Sequence, residues 1–90
     1  DPDGIIFYTN WSLALFIRGD ELEAKAIFDL GITQTAQSQG FSLRVIEVFY
    51  KTELEALRLR KEAIKDEEEQ VKFIQKEIEG IEWILSMFPN

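Results

Sequence analysis

The chain has no cysteine and no histidine among its 90 residues. Without cysteine there is no disulfide, no thiolate nucleophile and no thiolate-bound metal. Without histidine the usual general base, the Ser–His nucleophile pair and the imidazole metal ligand are missing. Proline stands only at Pro2 and Pro89, so nothing of that kind interrupts helices between them. Cations are outnumbered, 10 Lys and Arg against 17 Asp and Glu, for a net charge of -7. That balance opposes nucleic acid, whose phosphates need clustered Lys and Arg. The one basic cluster, Arg58, Arg60, Lys61 and Lys65, alternates with Glu62 and runs into Asp66–Glu69. It reads as a solvated helix face laced with ion pairs.

No nucleophile–base pair, phosphate loop or cofactor fingerprint is present, so neither an enzyme nor a cofactor is expected. The carboxylate run Asp66–Glu69 is no metal site on this reading. Glu67 and Glu68 point to different sides of a helix, and hard cations need several convergent oxygens. A long hydrophobic run is absent too. Ile5–Ile17 carries no charge, yet it is too short to span a bilayer and contains Thr9, Asn10 and Ser12. A buried core helix is expected there, with no membrane partner. The first residue is Asp rather than Met, which points to a segment of a longer, intracellular protein.

Hydrophobic residues make up 46% of the chain, enough for a packed domain rather than a disordered acidic tail. The expected fold is all-α. A first helix starts near Asp1 or Asp3 and ends at Gly19. A second is capped by Asp20, with Glu23 three residues on, and reaches the polar stretch Thr33–Gln39 before a turn at Gly40. It is expected to bury Leu22, Ala26, Ile27 and Leu30, together with Ala24 and Phe28.

Residues 41–90 follow as a second region. Apolar residues recur there every seven positions at Tyr50, Leu57, Ile64, Val71, Ile78 and Leu85, joined by Ile46, Ile74, Ile81 and Phe88. Glu53, Arg60 and Glu67 interrupt the companion column in the middle. One helix of roughly 45 residues is favoured here, since Ala, Glu, Lys, Leu and Arg are strong helix formers. The alternative is a break near Lys65–Asp66, with Asp66 and Glu69 as a capping pair, giving four helices. Trp83, Met87 and Phe88 make the last turns apolar on more than one side. Val71, Ile74, Ile78, Ile81, Leu85 and Phe88 are the expected self-association face of a homo-oligomer.

Within residues 1–40, the pattern Tyr8-x2-Trp11-Ser12-x2-Leu15, then Ala24-x3-Phe28 and Ala36, follows the tetratricopeptide signature W-x2-L-G-x2-Y…A-x3-F…P in character. Small residues let two antiparallel helices approach while large ones fill the gaps. A helical hairpin with Tyr8, Trp11, Leu15, Ala24, Ile27 and Phe28 as its core is predicted. More narrowly, Phe7-Tyr8-Thr9-Asn10-Trp11, Gly19, Ala24–Ile32 and Ala36-Gln37 resemble the N-terminal tetratricopeptide-like domain of the Bub/Mad spindle-checkpoint proteins. The motifs there are F-Y-x-x-W, A-x-x-[IV]-[FY]-x-x-G-I and A-[QE]-P. The resemblance spans Phe7 to Gln37 without a gap; Ser38 replaces the family's proline, and the tract from about Leu57 has no counterpart.

The resemblance implies a non-catalytic scaffold at the kinetochore that docks a short amphipathic helix of a scaffold protein. The second helix cannot cover Leu13, Phe16 and Ile17 together, and these three are the expected partner-facing set.

Overall fold

The computed structural model describes residues 2–36 and 43–88, with side-chain surroundings for 6–34 and 43–88. Four helices account for nearly all of them: α1 (Pro2–Ile17), α2 (Glu21–Ala36), α3 (Leu43–Ala63) and α4 (Glu68–Met87). There is no strand among the described residues. The expected turn at Gly40 lies outside them, as do Pro89 and Asn90. The chain divides into two compact units, Asp1–Ile46 and Glu47–Asn90, so α3 gives its first turn to one and the remainder to the other.

In the first unit, α1 opens with Pro2 in its first turn, where the missing N–H costs nothing. It closes on a complete Schellman motif. The Asp20 N–H donates to the Leu15 carbonyl and the Gly19 N–H to the Phe16 carbonyl, both at 2.9 Å. Gly19 takes φ 95°, a left-handed conformation that a Cβ would strain. The Asp20 carbonyl then accepts the Ala24 N–H at 2.9 Å, the first bond of α2, while its carboxylate accepts from Arg18 at 3.1 Å. So tight a connection forces α1 and α2 to run antiparallel and in contact.

In the second unit the single long helix expected from the heptad column does not form. α3 stops at Ala63, and Glu67 becomes the N-terminal flank of α4 without a side-chain capping bond. The start therefore falls on Glu67, not on Asp66. No proline or glycine marks the break. Its local signal is charge: Arg60 and Lys61 lie in the last turn of α3, and Glu68 and Glu69 in the first turn of α4. Each set suits the helix end it occupies.

Folding back also brings the apolar column into its own chain. Tyr50 lies 6.5 Å from Phe88 between ring centres, Arg58 bonds Glu82 at 3.0 Å, and the Lys61 ammonium donates to Gln75 Oε1. These pairs run in opposite order along the two helices, so α4 returns antiparallel along α3. The ion pair is exposed and worth little; burial is the main gain.

A Cβ built at Gly19 meets nothing within 4 Å. Gly19→Ala should therefore cost about 1 kcal/mol through backbone strain alone. A D-alanine placed there by chemical synthesis should cost nothing. Urea unfolding of both variants checks this; equal loss in the two would remove the strain argument.

Candidate functional site

α1 is apolar around most of its circumference, so hydrophobicity alone does not say which side faces α2. Packing decides it. Thr9, Ser12 and Leu15 are buried, as are Ala24 and Phe28 on α2, and Gly31 joins them. Small residues dominate this list, and they let the two backbones come close. The Ser12 hydroxyl donates to the Ala24 carbonyl at 2.5 Å, fully buried, crossing directly from one helix to the other. Thr9 turns its hydroxyl back to the Ile6 carbonyl at 3.1 Å. Among the described residues no buried side-chain nitrogen or oxygen lacks a hydrogen-bond partner, so this polar content costs little.

With Ser12 at the centre of the seam, a helix turning by about 100° per residue sends Phe7, Asn10 and Ala14 to the far side and sets Trp11 and Arg18 at its edge. All five are exposed. Phe7 is 62% exposed and Trp11 42%. Their rings touch at 5.9 Å, and Tyr8 stacks on Trp11 at 6.4 Å. Phe7, Asn10 and Trp11 line a shallow hollow of about 450 Å³ on this face. Two large aromatics presented side by side to water are the kind of patch that marks an interface.

The expected core is thus corrected at one position. Leu15, Ala24 and Phe28 are buried and Tyr8 and Ile27 half-buried, but Trp11 lies on the surface. The reason is steric: Ser12, not its neighbour, occupies the tight seam. On α2 the expected burial of Leu22, Ala26 and Leu30 also fails, and these form an exposed stripe at four-residue spacing. The narrow seam made by Ala24, Phe28 and Gly31 leaves no room for them.

Of the expected partner-facing set, Leu13, Phe16 and Ile17 are all half-buried, while the more exposed aromatics of α1 are Phe7 and Trp11. The residues expected to form a self-association face are largely covered by their own chain. Ile74, Ile78, Ile81 and Phe88 are buried within this chain, and Val71 and Leu85 are half-buried, because the break before α4 lets the column fold back. Trp83 and Met87 are half-buried too, so the expected sticky end of α4 is largely covered.

Among the described residues, no group of three or more acidic side chains is placed to hold a metal ion. No described helix is long and apolar enough to cross a membrane. No protein-family model matches the chain, and neither a curated protein nor a solved structure does.

Phe28→Ala should cost on the order of 3–5 kcal/mol, because it empties the seam. Trp11→Ala should cost about 1 kcal/mol or less, as a surface change does. Urea unfolding followed by circular dichroism compares them; the reverse order would place Trp11 in the core.

Proposed function

We propose that the chain is a non-catalytic protein-interaction module, a tetratricopeptide-like helical unit that docks a short amphipathic helix on the outer face of α1. The observation that carries this reading is the paired exposure of Phe7 and Trp11 on a side of α1 turned away from the packed seam. Aromatic side chains bury large area at low entropic cost and dominate interface energetics when desolvated. A helix laid on them would use apolar anchors at i, i+3, i+4 and i+7. The net charge of -7 favours a ligand whose flanks carry Lys or Arg.

The resemblance of Phe7–Gln37 to the Bub/Mad spindle-checkpoint domain supports the same role. It would make the ligand a segment of a kinetochore scaffold protein and place the chain in the dividing nucleus. The missing histidine and cysteine, with no nucleophile–base pair in the sequence, favour binding over catalysis.

Selection from a display library of helical peptides against the full chain tests the proposal. Enriched peptides should carry helically spaced apolar anchors and basic flanks, and should shift Trp11 emission in a Trp83→Phe background. Their affinity should fall about 30-fold or more in the Phe7→Asp/Trp11→Asp variant, with helical content unchanged. Peptides that bind the variant as tightly as the parent would remove the α1 face from consideration.

A further inference from the structure

The reversal between α3 and α4 is weakly fixed by its own residues. Ile64, Lys65, Asp66 and Glu67 separate the two helices, and none is a proline or glycine. The Ile64 N–H still bonds the Arg60 carbonyl at 3.1 Å, as in an α-helix, and the Glu67 N–H turns back to the Ile64 carbonyl at 2.9 Å. Glu67 gives α4 no side-chain cap. The turn between α1 and α2, by contrast, is fixed by the left-handed Gly19. Spacing favours a straight alternative. Leu57, Ile64, Val71 and Ile78 keep their seven-residue interval through the turn. In a supercoiled helix spanning it, the inner faces of α3 and α4 would therefore fall on one side. A hairpin does not need that register, because helices joined by a turn can hold any phase. We propose that α4 exchanges between two copies of the chain: the turn straightens, and α3 of each copy packs antiparallel against α4 of the other.

The contacts within the hairpin select the occupant. Tyr50 with Phe88, Arg58 with Glu82 and Lys61 with Gln75 each join one helix to the other. All three can be remade between copies by the same groups, so no further surface has to be complementary. That reuse is what makes exchange of an identical element a low-cost route to a dimer. The three pairs are centred on Glu69, Gln70 and Glu68 respectively, which places the twofold axis beside Glu69. Ile74, Ile78 and Ile81, which a lone straight helix would expose, stay covered by the α3 of the second copy.

The same axis gives the acidic run a role. In the closed hairpin Asp66, Glu67, Glu68 and Glu69 are exposed to water at the turn. In the exchanged pair both copies bring these carboxylates to the axis, with Lys65 and Lys72 as the nearest cations. Their repulsion holds the hairpin closed at low ionic strength, and salt screens it. The run thus acts as a brake on exchange. This inference uses the inner faces of α3 and α4 and does not depend on α1 docking a peptide.

Sedimentation of the full chain, concentrated at high ionic strength, tests it. The expected result is a dimer, with an association constant that Glu67→Gln/Glu68→Gln raises about tenfold at low salt. Inserting Gly-Gly-Ser-Gly between Lys65 and Asp66 should leave a monomer of unchanged helicity, since a long flexible loop lets the hairpin close on itself. In a dimer formed from isotope-labelled and unlabelled chains, filtered Overhauser spectra should show the Tyr50 and Phe88 rings in contact between copies. A monomer at every concentration in both the parent and the Gln variant overturns the proposal. So does a dimer that survives the insertion, or one whose Tyr50–Phe88 contact lies within each chain.

Discussion

The Ser12 hydroxyl on the Ala24 carbonyl sets how close α1 and α2 can come, and the first unit follows from that contact. A side-chain oxygen can reach a helical backbone carbonyl only where nothing larger stands between the two helices. Ser12 itself, Ala24 and Gly31 meet that condition. Once the backbones are this near, Leu15 and Phe28 fill the flanks and are removed from water. Each then contributes roughly 1.5–3 kcal/mol, against about 1 kcal/mol for the hydrogen bond. The bond gives position; the side chains beside it give most of the stability.

A narrow seam has a second consequence. α1 is apolar on most sides, yet only one side is used against α2, so Phe7 and Trp11 face water. α3 repeats the theme in the other unit, with an inner column committed within the chain and an outer one exposed. Both helices thus carry more hydrophobic surface than their own chain covers. Exposed aromatic and aliphatic side chains at helical spacing are costly to solubility, and a docked partner relieves that cost.

Much of this was legible in the residues. Gly19 marked the end of α1 because only glycine accepts a left-handed cap without strain, and Ala24 and Phe28 fell in the seam where a small-plus-aromatic pair belongs. All-helical structure followed from the scarcity of proline and the heptad column. Trp11 was not legible. In a helix apolar all round, size and hydrophobicity carry no direction, and the modest Ser12 decides the facing.

The break after Ala63 was hard for a different reason, since no residue there forbids helix. Its cause is tertiary: folding back buries Ile74, Ile78 and Ile81, which a continuous rod would leave exposed. Reversal from a basic last turn to an acidic first turn was the available sign. The same ambiguity affected the heptad column itself, which reads identically whether its partner is in the same chain or another.

The close approach of α1 and α2 is most directly tested by nuclear magnetic resonance of the full chain. A strong Overhauser cross-peak between the Ser12 β protons and the Ala24 methyl group is the predicted result. Its absence, with both segments helical by chemical shift, would mean that the helices do not meet through this seam, and the exposed face turned away from it would lose its basis.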